Sequence, residues 1–410
     1  MKRKKTFNII LIALAVVVIG IAGYTFHYYS SDSYLVLKGN SSDTVGLNGV
    51  YSDPGATAVL HGRDVSDQVK VSGKIDTETP GKYKLSYKAG NFTMQRTVTV
   101  LDEMDPVIQL KGEDDVTIKL GDEYKDPGFS ATDSQGNDLT AQVEVDEADL
   151  NKAGNQKIRY TVSDAEGKTT QVSRTVKVEP NTEYETSGLP ICMYHYVYDE
   201  NDIPSDVNAN YISKEDLSEE LDWLIQEGYY FPTWQEVRDY VDGKLLLPEK
   251  SIVITFDDGA YSFLDNGIPV LEKYKVPATS FVITSHDGKK KLATEKYQSE
   301  YVQYESHSHD MHRGGGNIGH GGIMTVISHD DGVADLKKSI EIVGSGEAFA
   351  YPFGDTNDNT RSIVEDAGFL CAMTTTQGRA KPGDDPLMLP RQRMSRNQSM
   401  DAFKAMVSPF

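Results

Sequence analysis

The chain repeats itself across its first half. "YSDPGATA" at 51–58 returns as "YKDPGFSA" at 124–131, so Asp53 and Asp126 stand 73 residues apart. Each copy runs on to a matching end, "RTVTV" at 96–100 and "RTVKV" at 174–178. A period of that length is the size of a small domain, so the same fold is made twice. Within each copy, segments such as "KYKLSY" and "KIRYTV" alternate polar and apolar residues between Gly, Pro, Asn and Asp turns. Short alternating strands without a helical stripe predict two small antiparallel β-sandwiches, over 30–102 and 103–180.

These copies resemble the bacterial Ig-like repeats of surface proteins. Neither holds a catalytic constellation, so a spacer or wall-binding stalk is the expected role. The N-terminus agrees with a surface location. "MKRKK" precedes "FNIILIALAVVVIGIAGYTF", about twenty largely apolar residues without a charge, enough to cross a bilayer. The basic residues should hold that end in the cytoplasm. The apolar stretch is longer than that of a cleaved signal peptide, and no small-x-small exit site follows it. Residues 1–29 are therefore expected to be an uncleaved membrane anchor, with the rest outside the cell. A net charge of −21 argues against nucleic acid or anionic lipid headgroups as partners. The two cysteines, Cys192 and Cys371, sit in apolar runs and read as buried free thiols rather than a disulfide framework.

After the linker "EPNTEYETSG" (179–188) the pattern changes. Apolar strands now alternate with amphipathic helices. "SKEDLSEELDWLIQEG" reads as a helix with Ser213 and Asp216 as a capping box, an apolar face of Leu217, Leu221, Leu224 and Ile225, and Gly228 as its stop. "TWQEVRDYVDG" repeats the device with Thr233 and Glu236. Strand–helix units follow through "SIVITF", "ATSFVIT", "GEAFAYPFG" and "FLCAMTTT". They predict an α/β domain over 188–410, a parallel barrel or sheet with its chemistry at the carboxyl ends of the strands. The fold class expected is thus an anchor, two β-sandwiches and a (β/α)-type barrel.

Polar residues gather where those strands should end: His195 in "CMYHYV", Asp257 and Asp258 in "TFDDG", and His307, His309, Asp310 and His312 in "ESHSHDMHR". Five of the nine histidines fall within 307–329. Carboxylate and imidazole together suit Zn²⁺ or a similar divalent ion with open positions. Such an ion acidifies water and polarises a carbonyl under attack. A free carboxylate can then take the water's proton, and a separate His can protonate a leaving amine. Two adjacent acids make sense as a division of labour, one holding metal and one acting as base. Successive side chains diverge on a strand, so a bend at the strand end is needed to present both.

TFDDG, a His-Ser motif about fifty residues later and a Pro-aromatic-Gly motif at 352–354 resemble the NodB-homology polysaccharide deacetylases, carbohydrate esterase family 4. The resemblance covers 188–410. It implies Asp257 as general base, Asp258 and His307 with a second His as metal ligands, and the Phe353 N–H in an oxyanion hole. The chain departs from the family pattern in three places. No His lies near the C-terminus, where the family's acid usually does. "CMYHYV" instead resembles the opening motif of the permuted poly-N-acetylglucosamine deacetylases, which makes His195 the candidate acid. The commonest spacing for the second metal His lands on Met311, whereas that of the permuted relatives lands on His312. Positions i and i+5 diverge by roughly 140° on a helix, so the segment must turn irregularly; His309 competes as ligand, then Asp310. The Arg that usually opens the third motif is Ala350, and Arg391 or Arg393 could replace it beside Asp257.

The expected activity is metal-dependent removal of N-acetyl groups from N-acetylglucosamine in a cell-envelope glycan. Zn²⁺ is the expected ion, with Co²⁺ or Mn²⁺ as alternatives, and a Gram-positive-type envelope is expected. The rivals are a non-catalytic glycan-binding surface protein and an O-acetyl esterase using the same site. "RGGGNIGHGG" (313–322) lacks the Gly-Lys-Ser/Thr ending of a phosphate-binding loop and reads as a mobile lid. His286, His320 and His329 have no partner motif.

Overall fold

In the computed structural model, residues 33–101, 105–165 and 167–410 are described. The anchor expected over 1–29 lies outside the described residues, and among those described no helix is long and apolar enough to cross a membrane. The chain packs as two compact units. One comprises most of the described residues up to Thr175; the other holds Val176–Phe410 with Asp115–Tyr124 and Asp149–Gln156.

In the first repeat, strand Gly81–Ala89 forms a hairpin with Phe92–Leu101, in register from Gly81↔Val100 to Ala89↔Phe92. Alternation buries Leu85, Tyr87 and Ala89, which pack on Leu35, Leu37, Ala56 and Ala58 of a facing sheet. One pairing departs from the antiparallel expectation. Ser42–Gly46 joins Phe92–Leu101 in parallel. The two strands are distant in sequence, so no hairpin turn forces them to run oppositely.

The repeated Asp-Pro-Gly has a structural cause. Arg96, fully buried, donates from Nη1 to Asp53 Oδ1 (2.6 Å), and the Tyr87 hydroxyl donates to the same oxygen (2.5 Å). Arg174 and Tyr160 close the same clamp on Asp126, the Arg174 Nη1–Oδ1 bond being 2.8 Å. Each copy therefore ties its turn to its last strand through an ion pair to a buried arginine.

The second unit contains a closed, all-parallel seven-stranded barrel. Its strands are β1 (Ile191–Tyr194), β2 (Val253–Phe256), β3 (Ala278–Val282), β4 (Val302–Ser306), β5 (Ala348–Ala350), β6 (Cys371–Gln377) and β7 (Leu389–Arg393). Strand β7 closes on β1 through Cys192↔Gln392 and Met193↔Arg393. Every residue of β1, β2, β3 and β5 is buried, which is why these segments read as continuous apolar runs rather than alternating ones. Helices α1 (Lys214–Gln226) and α2 (Trp234–Val241) cover the barrel. Leu217, Leu221 and Leu224 pack with Cys192, Ile254 and Phe256, while Trp234, Val237 and Val241 pack with Ile191, Val253 and Cys371.

Two local expectations are corrected. Thr233 and Glu236 make a full capping box, but at α1 only Ser213 caps, accepting from Asp216 N at 3.0 Å. Asp216 is one methylene shorter than the Glu that completes the box. On the same helix Ile225 is 44% exposed, and Glu220 occupies the buried face instead, accepting from the Tyr194 hydroxyl at 2.6 Å. Cys192 and Cys371 are buried and free.

Candidate metal centre and its surroundings

The two acids leave β2 in different directions. Thr255 and Asp257 share the strand's inner face, as i and i+2 must. There Arg391, only 1% exposed on β7, forks the Asp257 carboxylate with Nη1–Oδ1 at 2.8 Å and Nη2–Oδ2 at 2.7 Å. Its Nε donates to Thr374 O at 2.9 Å, which fixes the plane of the fork. Burial pushes the Asp257 pKa up, but the charge and hydrogen bonds of Arg391 outweigh it and hold the carboxyl well below its ordinary range. Arg393 instead reaches Asn210 Oδ1 at 2.6 Å and is exposed. Asp258 escapes the opposite face by adopting φ 71°, a left-handed conformation uncommon outside glycine. That is the bend which the adjacent acids require.

Strand β4 ends on Ser306, and His307 follows at once. Ser308 also has φ 71°, so the segment turns out of the strand without forming a helix. Helix α3 (His329–Val343) fixes the turn, because the Asp335 carboxylate accepts from His309 N (2.8 Å) and Asp310 N (2.9 Å). His312 thereby comes back to His307, ring centroids 4.7 Å apart. His307 Nε2 and His312 Nε2 each lie 3.6 Å from Asp258 Oδ1, beyond hydrogen-bond range. Tetrahedral ligands about 2.0–2.1 Å from one ion would stand roughly 3.4 Å apart, close to this spacing. His307 Nδ1 lies 2.7 Å from Ala350 O, so it carries the proton and leaves Nε2 with a free lone pair. Burial, then His307, pushes the His312 pKa down, which keeps that ring neutral. Asp258, His307 and His312 thus fit a divalent cation. His309 turns away, with Nδ1 on Thr284 Oγ1 at 3.0 Å, and the Asp310 carboxylate lies 3.4 Å from Arg313 Nε.

His195 follows β1, and its Nδ1 is buried without a hydrogen-bond partner among the described residues. Burial pulls its pKa down against the opposing pull of Asp257 and Asp258. Phe353 has φ 60°, and its ring lies 4.3 Å from that of His312. Its N–H falls in the first turn of the short Pro352–Gly354 helix, where backbone donors lack intrahelical acceptors. Asp258, Ser308 and Phe353, all left-handed, surround one site, a concentration of backbone strain typical of functional positions.

Sequence reasoning missed three contributors. Tyr196 donates to Asp258 Oδ2 at 2.6 Å, which leaves Oδ1 to face the two imidazoles. Burial and then Asp258 push its pKa up, so it stays a donor. Its signal was the second tyrosine of the quoted "MYHYV". Asp335 and the carbonyl of Ala350 carried none, because one lies on a later helix and the other is backbone.

Both halves of the chain are similar to known proteins. Residues 35–100 and 108–178 match the bacterial surface protein Ig-like domain, and 245–372 match polysaccharide deacetylase. The poly-beta-1,6-N-acetyl-D-glucosamine N-deacetylase of Staphylococcus epidermidis is 29% identical over 213 residues, 48% of this chain and 71% of that protein. Its Staphylococcus aureus counterpart is 29% identical over 48% of this chain and 70% of its own length. Among solved structures, the Streptococcus pyogenes deacetylase PplD in complex with acetate has a TM-score of 0.46 at 24% identity, over 54% of this chain and 99% of that one. IcaB from Ammonifex degensii has a TM-score of 0.44 at 27% identity, over 54% of this chain and 97% of its own. The chain is a hydrolase that carries a polysaccharide deacetylase domain behind two bacterial surface Ig-like domains.

Proposed function

We propose that this protein removes N-acetyl groups from N-acetylglucosamine residues of a cell-envelope glycan, peptidoglycan or a wall-attached polysaccharide. The observation that carries the reading is the pairing of two environments on adjacent acids: Asp257 forked by Arg391, and Asp258 beside two imidazoles. The N-deacetylase activity for which the staphylococcal relatives are named supports the substrate class. Asp258, His307 and His312 would hold the ion, Zn²⁺ before Co²⁺ or Mn²⁺, and when bound it would supply Lewis acidity to the substrate carbonyl and to water. Asp257, kept ionised by Arg391, takes the proton of the attacking water. The Phe353 N–H donates to the oxygen on which charge develops. His195 gives its proton to the nitrogen as the amide C–N bond breaks, so acetate and a free amine leave.

In this reading residues 1–29 anchor the chain in the membrane of a Gram-positive-type cell, and the sandwiches hold the barrel outside. The test is acetate release by the purified chain with Zn²⁺ or Co²⁺, from N-acetylglucosamine oligomers and from peptidoglycan, beside Asp257→Asn. Metal-dependent release that the substitution abolishes is expected. Release from O-acetylated glycan alone would make it an esterase, and metal binding without any release would make it a glycan-binding protein. Protease shaving of intact cells tests the topology: the barrel should be cut from the outside.

A further inference from the structure

The loop read as a mobile lid is cross-linked. Six of the ten residues from Arg313 to Gly322 are glycine, yet the backbone is tied to itself. Gly315 N and Gly316 N both donate to Gly321 O (3.0 and 2.8 Å), Gly321 N to Ile318 O (2.9 Å), and Ile323 N to Arg313 O (2.9 Å). Asp355 pins it from the neighbouring motif. Its carboxylate, 4% exposed, accepts from His320 N at 2.8 Å through Oδ1 and from Gly322 N at 2.9 Å through Oδ2, with His320 Nδ1 at 3.3 Å. The glycines are what let the carboxylate in. A Cβ on Gly319, at φ 58°, would stand 1.9 Å from Asp355 Oδ1, and one on Gly316 would stand 2.1 Å from Gly322 O. The loop starts one residue after His312 and ends against the Phe353 ring, where a Cβ on Gly322 would be 3.0 Å from Phe353 Cδ2. The same ring lies 4.3 Å from that of His312.

We infer that Asp355 is a positioning residue for the deacetylase centre: by locking loop 313–322 it clamps the Phe353 ring between Gly322 and His312. One carboxylate, two residues after Phe353, thereby fixes both the second imidazole and the backbone donor of Phe353. This rests on the roles proposed above for His312 and Phe353. A solvent-held loop would leave both free to shift, and displacements of about an ångström at such groups are costly to catalysis.

The test compares the full chain with Asp355→Ala and Asp355→Asn by three readings: apparent zinc affinity against a competing chelator, kcat and KM for acetate release at saturating zinc, and melting temperature. Alanine should lower zinc affinity and kcat each by about 10–100-fold, with KM within about threefold. Asparagine, isosteric and keeping one acceptor oxygen, should fall between alanine and the parent. Should the alanine variant not fold, asparagine decides alone by the same readings. Variants that fold and keep zinc affinity and kcat within about twofold of an active parent overturn the inference. A parent that neither binds zinc nor releases acetate overturns the site reading instead.

Discussion

Single residues decide the chemistry by where their lone pairs and charges face. Arg391 enters the barrel from the last strand to reach Asp257 on the second, so two residues 134 apart form one unit. Replacing it with Gln leaves burial opposed only by the His307 and His195 imidazoles, so the Asp257 pKa should rise. The acidic limb of the kcat/KM profile should then move to higher pH, with activity at neutral pH down by roughly 10²-fold or more. A profile that keeps its acidic limb would show that Asp257 is not the titrating base. The histidines give a second contrast. His312→Ala should abolish tight zinc binding in a chelator competition, whereas His309→Ala should leave it nearly unchanged, since His309 bonds to Thr284. The reverse ranking would reassign the ligand. The sequence displayed this set of acids and imidazoles because catalytic groups cluster at strand ends. It could not choose between His309 and His312, because that choice depends on φ at Ser308 and on Asp335 from a later helix.

At the scale of elements, α1 departs from its periodicity at Ile225 and at Glu220, and Glu220 titrates. Glu220 lies among the buried leucines, and burial raises its pKa to about 8 from an ordinary 4.5, while the hydrogen bond from Tyr194 pulls the other way. Between those values the folded chain keeps a proton that the unfolded chain has released. The stability contribution of this group is therefore fully present below about 4.5 and declines as pH rises through about 8. Glu220→Gln removes the proton exchange, so its melting temperature should gain on the parent between pH 5 and pH 8.5. An equal offset at both pH values would mean that Glu220 is already ionised in the folded chain. Hydrophobic period alone placed Ile225 on the core face and left Glu220 off it. A polar group inside is legible only when its partner is known, and Tyr194 comes from a different element.

Across the molecule, the Arg96 clamp of the first sandwich and the candidate metal centre lie in different units. Asp53→Ala would remove the nearer carboxylate of the buried Arg96, which keeps Asp43 at 3.8 Å and the carbonyls of Asn40 and Lys38, and should cost the first sandwich about 1–3 kcal/mol. Acetate release by the same variant should match the parent. A calorimetric transition lowered without loss of rate would meet the expectation, and a parallel loss of both would tie the sandwich to the site. By itself the sequence determined which side-chain types the chain has, the repeat with its Asp-Pro-Gly turns, and the alternation of apolar strands with capped helices. These are local properties, written in period, turn chemistry and composition. Only the tertiary structure decided which polar atoms meet: Arg391 rather than Arg393 on Asp257, His312 rather than His309 beside Asp258, Tyr196 on its second oxygen, and Asp355 through a loop that looked free. Those meetings join residues tens to more than a hundred positions apart. They depend on barrel closure and on left-handed backbone at Asp258, Ser308 and Phe353, which packing imposes and local propensity resists.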